Sequence, residues 1–146
     1  MYYKFKLLTL PKITNFYTVT RNTVWQISDK DNILIIINEG ECEISCSTET
    51  FTAAQGDVVF IPANHSYCRR PIDNTMCKMT YIHFSADSEP EQIEFHKLTS
   101  DIVEQKQIMD TEMISETRFV TYPQNIYLPN HSTGLDIDKL TSILTD

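Results

Sequence analysis

From residue 2 to residue 84 the chain is a succession of short β-prone runs punctuated by turn residues, which favours sheets over helices. Residues 2–9 and 16–20 hold β-branched and aromatic residues on either side of Pro11, and Val24–Ser28 is a third candidate. Ile33–Ile37 is a continuous aliphatic run, the pattern of a central strand buried on both faces. Asn38-Glu39-Gly40-Glu41 supplies a turn. Cys42–Ser47 returns as the antiparallel partner, with Cys42, Ile44 and Cys46 on its inward side. Phe51–Ala53, Val58–Ile61, Ser66–Arg69 and the unbroken run Met76–Phe84 follow, with Asp73-Asn74 turning the chain before the last. About eight or nine strands spaced roughly ten residues apart predict an all-β, antiparallel sandwich or barrel.

One stretch says more than the rest. Gly56-Asp57 makes a tight turn, Val58-Val59-Phe60-Ile61 forms a short strand, and Pro62 ends it before the polar corner Ala63-Asn64-His65. Ser66 and Tyr67 then open the next strand. This is the pattern of a barrel hairpin that turns over an internal pocket.

Composition removes several function classes. With 146 residues the chain has the size of one domain with an ordinary core. Twenty acids against twelve bases give a net charge of −8, which repels a phosphate backbone. Arg69-Arg70 is the one dense basic spot, and two residues are no nucleic-acid footprint. The longest apolar run, Ile33–Ile37, is far too short to span a bilayer, and no membrane partner is expected. Met1-Tyr2-Tyr3-Lys4-Phe5-Lys6 lacks the apolar segment of a secretory signal, so a cytoplasmic location is expected. Cys42 and Cys46 lie roughly 13 Å apart along one strand, too far for a disulfide or joint zinc ligation. Cys68 and Cys77 lie on separate predicted strands, so four reduced, buried thiols are expected.

After Ser85 the texture changes. Residues 85–94 read as an exposed acidic loop, and 100–109 as a short helix. Phe119–Tyr122 and Asn125–Leu128 look extended around Pro123. Behind Asp136, the residues Ile137, Leu140, Ile143 and Leu144 recur at helical spacing. The expected organisation is a barrel over 1–98 and an extension over 99–146, with a helix and a linker or dimerisation segment.

The order of these motifs resembles a known family. Leu34-Ile35-Ile36-Ile37, the Asn38–Glu41 turn, Gly56-Asp57-Val58-Val59-Phe60-Ile61-Pro62 and Thr80-Tyr81-Ile82-His83-Phe84 are similar to the N-terminal cupin domain of AraC-type transcription regulators. The matching stretch runs from residue 15 to 85, and Leu128-Pro129 with the helix after it looks like that family's linker. The resemblance implies a cupin-type double-stranded jelly roll with a short helical C-terminal extension. It also implies a small effector, such as a sugar, in the barrel. A homodimer is implied too, with Ile137, Leu140, Ile143 and Leu144 as part of its seam. In that family a separate domain with two helix-turn-helix units reads the DNA. No stretch of this chain has the basic recognition-helix pattern, so DNA contact would come only through that missing domain.

The alternatives are a metal-dependent cupin enzyme, such as a sugar isomerase or dioxygenase, and a standalone small-molecule binder. Metal cupins hold their ion with histidines and a glutamate on two motifs. Here Trp25–Asn38 contains only Asp29 and Asp31 as candidate ligands, and Tyr67 stands where the second motif would place its histidine. No catalytic residue, metal or cofactor is therefore expected.

For ligand binding, the candidates are polar or aromatic groups that interrupt an inward apolar face. One face of the last long strand carries Cys77, Met79, Tyr81 and His83, the other Met76, Lys78, Thr80, Ile82 and Phe84. Lys78 suggests that the second face is partly wet, which points Tyr81 and His83 to the pocket. Trp25 is a stacking platform or a core residue. His65 and Tyr67 are expected at the barrel mouth, and Arg69 could neutralise an anionic effector or simply lie exposed.

Overall fold

The structure, a computed structural model, describes residues 2–46, 49–94, 97, 99, 100 and 124–133. Among these lie twelve strands: β1 (Tyr2–Leu7), β2 (Lys12–Arg21), β3 (Trp25–Ser28), β4 (Asn32–Glu39), β5 (Glu41–Cys46), β6 (Thr50–Ala54), β7 (Val58–Ile61), β8 (Ser66–Pro71), β9 (Cys77–Ser85), β10 (Glu91–Ile93), β11 (Gln124–Pro129) and β12 (His131–Ser132). Their pairings are all antiparallel.

Two sheets make the barrel. One has the order β12-β7-β4-β9-β2, the other β3-β8-β5-β6. Strands β2 to β9 thus run β2-β9-β4-β7 in one layer and β3-β8-β5-β6 in the other. That order is two interlocked Greek keys, the cupin-type double-stranded jelly roll.

The inner faces follow from the register. Asn15, Tyr17 and Val19 of β2 stand opposite His83, Tyr81 and Met79 of β9, which oppose Ile33, Ile35 and Ile37 of β4. In the other sheet Trp25, Arg69 and Ile44 form one row, on the same face as Tyr67 and Cys46. Ile33, Ile35, Ile37, Ile44, Val59, Ile61 and Met79 are fully buried and form the inner core. On the other face of Ile33–Ile37, Ile36 is buried and Leu34 partly buried, with Leu34 packed against the core under a third sheet, β10-β1-β11, that covers the barrel.

This layer has its own core. Tyr3 and Phe5 from β1 meet Phe60 edge-on at 5.4 and 5.5 Å between ring centroids, and Phe5 meets Phe84 at 5.9 Å. The outer face of β9, expected to be partly wet, is therefore largely dry. Lys78 is exposed, but Thr80, Ile82 and Phe84 are buried.

The turns behave as their residues require. Gly40 has φ +82°, and a Cβ there would lie 2.6 Å from the Met76 carbonyl oxygen. Gly56 likewise has φ 93°, and Asp57 caps its turn by accepting from the Ala54 amide at 2.9 Å. Asp73 and Asn74 both adopt positive φ, which these residue types tolerate.

Residues 124–132, which fall within the expected extension, add strands to the body. β11 pairs with β1 along six positions, and β12 pairs with β7. Leu128-Pro129, expected in a linker, therefore sits in a sheet opposite Tyr3 and Tyr2. The cause is tertiary: an exposed sheet edge offers unpaired backbone groups that a distant segment can satisfy. The helix expected over 100–109 lies, beyond Ser100, outside the described residues. The stripe Ile137, Leu140, Ile143 and Leu144 lies outside them altogether. No helix among the described residues is long and apolar enough to cross a membrane.

Candidate ligand-binding site

A band of polar groups interrupts the apolar inner core. Arg69, on β8, is only 5% exposed. Its Nη1 donates to the Tyr81 hydroxyl at 2.7 Å and lies 4.0 Å from the Met79 sulfur. The Tyr67 phenol on β8 adjoins Tyr81 closely enough for each to influence the other's ionisation. Burial pushes both phenols above the usual tyrosine value, while the Arg69 charge pulls them the other way. Tyr81 is therefore a neutral partner for a buried cation. The Cys42 and Cys77 thiols, both buried, also interact: Cys77 and then burial raise Cys42, while Cys42 lowers Cys77.

A second group adjoins the first. The Tyr17 ring stacks on Tyr81, with centroids 5.2 Å apart and planes at 12°. The Tyr17 hydroxyl lies 3.1 Å from His83 Nε2, and His83 Nδ1 lies 3.4 Å from Asp29 Oδ2. With the proton on Nδ1 facing the carboxylate, Nε2 accepts from the phenol. Asp29 is fixed in turn, because its Oδ1 accepts from the Asp31 amide at 2.9 Å. Asp31 Oδ2 accepts from Thr14 Oγ1 at 2.8 Å. Burial, then Tyr81, then Asp29 raise the Tyr17 phenol.

The two sides of the barrel differ: one is bridged across the sheets, while on the other β2 and β3 have no further strand paired to them among the described residues. On one side, Phe51 of β6 stacks on His131 of β12 at 4.3 Å, and His131 Nε2 pairs with Asp57 Oδ2 at 2.8 Å. Arg69 of β8 reaches Tyr81 of β9, so the edge strands β3 and β2, which neighbour them, flank this pair on the other side. Trp25 stands there on the inner face of β3, beside Arg69 in register, yet is 50% exposed. Tyr17 and Val19 on β2 are half-buried. Aromatic side chains line an accessible margin, with the buried guanidinium one strand behind it. Such a mixture of apolar walls and a few convergent polar groups is what a small-molecule site requires.

Residues 26–97 match the family model of the AraC-like ligand binding domain. This region belongs to that family. Solved structures with similar folds include a putative ethanolamine utilization protein Q from Salmonella typhimurium (25% identity, TM-score 0.40, covering 49% of this chain and 56% of that one). A cupin-2 domain containing protein from Shewanella frigidimarina is 19% identical, with TM-score 0.42, covering 53% of this chain and 82% of that one. YhaK from Escherichia coli is 18% identical, with TM-score 0.47, covering 64% and 48%. The chain thus spans about half the length of the Salmonella and E. coli proteins. No curated protein sequence matches it.

Within this AraC-like domain the structure brings together Tyr67, Arg69, Tyr81 and His83, with Trp25 beside them at the open edge. Tyr67 is not at the mouth, as expected, but buried in the inner core. The register explains this, since Tyr67 shares the inward face with Arg69 two residues on. Arg69 points inward for the same reason, while Arg70 is exposed, so the pair forms no basic patch. His65 does not join the group. It is exposed on the corner, where its Nδ1 pairs with the Ala63 carbonyl at 3.0 Å and its ring lies 6.4 Å from Tyr3 in the outer layer.

Sequence reasoning missed Tyr17 and the proximity of Asp29 and Asp31 to His83. The ligand atoms of these last three lie within 4.8 Å of one another, an imidazole and two carboxylates that could hold a divalent cation. No motif spacing links position 83 to positions 29 and 31; only the β4–β9 pairing, Ile33 opposite His83, does. All four cysteines are free, but only Cys42 and Cys77 are buried as expected; Cys46 and Cys68 are partly exposed.

Proposed function

We propose that this chain is the effector-sensing and dimerisation module of an AraC-family transcriptional regulator. A small polar effector, a sugar or a sugar-sized metabolite, enters between β2 and β3 and is recognised there by binding alone, without catalysis. The observation that carries this reading is the Arg69–Tyr81 pair, a charged group set with a few polar neighbours into a largely apolar barrel core behind a half-exposed aromatic edge. A cation in such a place gives little to stability and is best explained by recognition. The ligand would favour one arrangement of the dimerisation segment over another, and that difference in affinity would pass to a DNA-reading domain.

Trp25 is the single tryptophan of the chain, so ligand entry is readable directly. Titration with a panel of neutral sugars and sugar acids should change its emission saturably. A folded protein that responds to no member of the panel would sink the reading. Sedimentation tests the dimer, since a monomer at high protein concentration removes the seam. Continuation of the gene into two helix-turn-helix units beyond Asp146 tests the regulator. The cluster Asp29, Asp31 and His83 favours one competing reading, a metal-dependent enzyme. Stoichiometric iron, manganese, nickel or zinc in the purified protein would establish that alternative.

A further inference from the structure

Arg69 has almost no partners for a buried guanidinium. Among the described residues its Nη1 contacts a phenol and a thioether, and its other nitrogens make no hydrogen bond. No carboxylate among them pairs with it. Asp29, the acid associated with the neighbouring tyrosine, is committed to His83 and to the Asp31 amide. A guanidinium presents five donors in a planar fork, so most of this one's capacity is not taken up by the protein, and its unbonded nitrogens are not among the fully enclosed, unpartnered atoms, so they stay within reach of an incoming ligand. A buried charge ordinarily comes with an opposite charge, because desolvation without one is costly.

The groups around Arg69 do not supply that charge. The Tyr17, Tyr67 and Tyr81 phenols are all raised and stay protonated at neutral pH, so they solvate the cation without neutralising it. Trp25, next to Arg69 in register and half-exposed, marks the side from which a counter-ion can arrive. Tyr17, stacked on Tyr81 and half-buried, stands at the same open edge.

We propose that the ligand of this barrel is an anion, a carboxylate or a phosphate monoester, whose charged group completes the hydrogen bonding of Arg69 while its planar or apolar body lies toward Tyr17 and Trp25. This deepens the sensing role proposed above and rests on it. A planar oxyanion matches the fork of the guanidinium, and desolvated walls strengthen the pairing. Its affinity should resist added salt more than that of a surface site.

The test uses the full chain with sodium benzoate, sodium phenyl phosphate, benzamide and glucose, at ionic strength matched with sodium chloride. Benzoate or phenyl phosphate should raise the melting midpoint, change Trp25 emission saturably and shift the Arg69 Nε–H resonance. The responding anion distinguishes a carboxylate ligand from a phosphate. Benzamide, of the same shape without the charge, should bind at least about 100-fold more weakly, and Arg69→Met should lose a similar factor for the anion. Arg69→Lys should weaken binding, because a point charge replaces a fork. The Nε–H readout in the unsubstituted protein decides the matter even if Arg69→Met fails to fold. If both anions leave that resonance and the midpoint unmoved, the proposal is overturned. It is also overturned if folded Arg69→Met binds benzoate as tightly as the parent. A saturable Trp25 response to glucose, with none to the anions, removes the anion and leaves the sensing role standing. Silence toward all four probes and the wider sugar panel removes both.

Discussion

The two cores of this protein share the same central strands and differ in kind. Beneath β1, the outer faces of β7 and β9 meet Tyr3, Phe5 and Leu7 in a layer of interlocked aromatic and aliphatic side chains. Across the same sheet, the inner face meets a second sheet around Arg69, Tyr67, Tyr81 and His83. The first is arranged for packing alone. The second gives up apolar contact for a cation, phenols and an imidazole, each of which must be hydrogen-bonded to be tolerated. Adjacent residues of one strand thus serve opposite ends: Phe84 holds the covering sheet in place while His83 faces the barrel.

The contrast can be tested by truncating each side. The largest effect is expected in the outer layer. Phe60 is 1% exposed and touches the rings of Tyr3, Phe5 and Phe84. Phe60→Ala should cost about 3–5 kcal/mol in urea unfolding, with little change in ligand affinity in whatever folded fraction remains. In the inner core, Tyr81→Phe keeps the ring but deprives Arg69 of its 2.7 Å bond. It should cost about 1–3 kcal/mol, the range for leaving a buried donor unsatisfied. A cost as large as that of Phe60→Ala would break the distinction.

Alkali should act chiefly on the inner core. Tyr67 and Tyr81 are raised by burial, so the folded state keeps protons that the unfolded chain releases near the ordinary tyrosine value of 10.0. Their contribution is complete below that pH and is lost as pH climbs above it. The loss should be roughly 1 kcal/mol per buried ring over the first pH unit, read as a falling urea midpoint alongside late tyrosinate absorbance. The smallest effect belongs to the open edge. Trp25→Ala should change stability by about 0.5 kcal/mol or less, because the ring is half in water, yet it should weaken ligand binding. If stability falls more than affinity, Trp25 is part of the core and not of the site.

Much of the inner core was legible in the chain. The alternation of Cys77, Met79, Tyr81 and His83 set them on one face, and the period of two leaves no other arrangement in a strand. Cys42, Ile44 and Cys46 were readable inward for the same reason. Lys78 was misleading about the opposite face. A single long, exposed amine says little about Thr80, Ile82 and Phe84 once another sheet covers them. His65 was misleading too, since two positions along a corner turned it away from the barrel.

Local periodicity therefore determined the strands, their inward sides, the turns at Gly40 and Gly56 and the all-β class, because steric and hydrophobic preferences act over a few residues. Tertiary pairing decided the rest. The covering sheet joins Tyr2–Leu7 to Gln124–Pro129, segments more than a hundred residues apart, through backbone bonds that carry no side-chain signature. Arg69 meets Tyr81 across two sheets, and Asp29 meets His83 across a turn and a strand, so only the closed barrel defines those contacts. The sequence placed an arginine at the end of a short strand; the fold buried it with no counter-charge among the described residues and so turned it into a candidate recognition site.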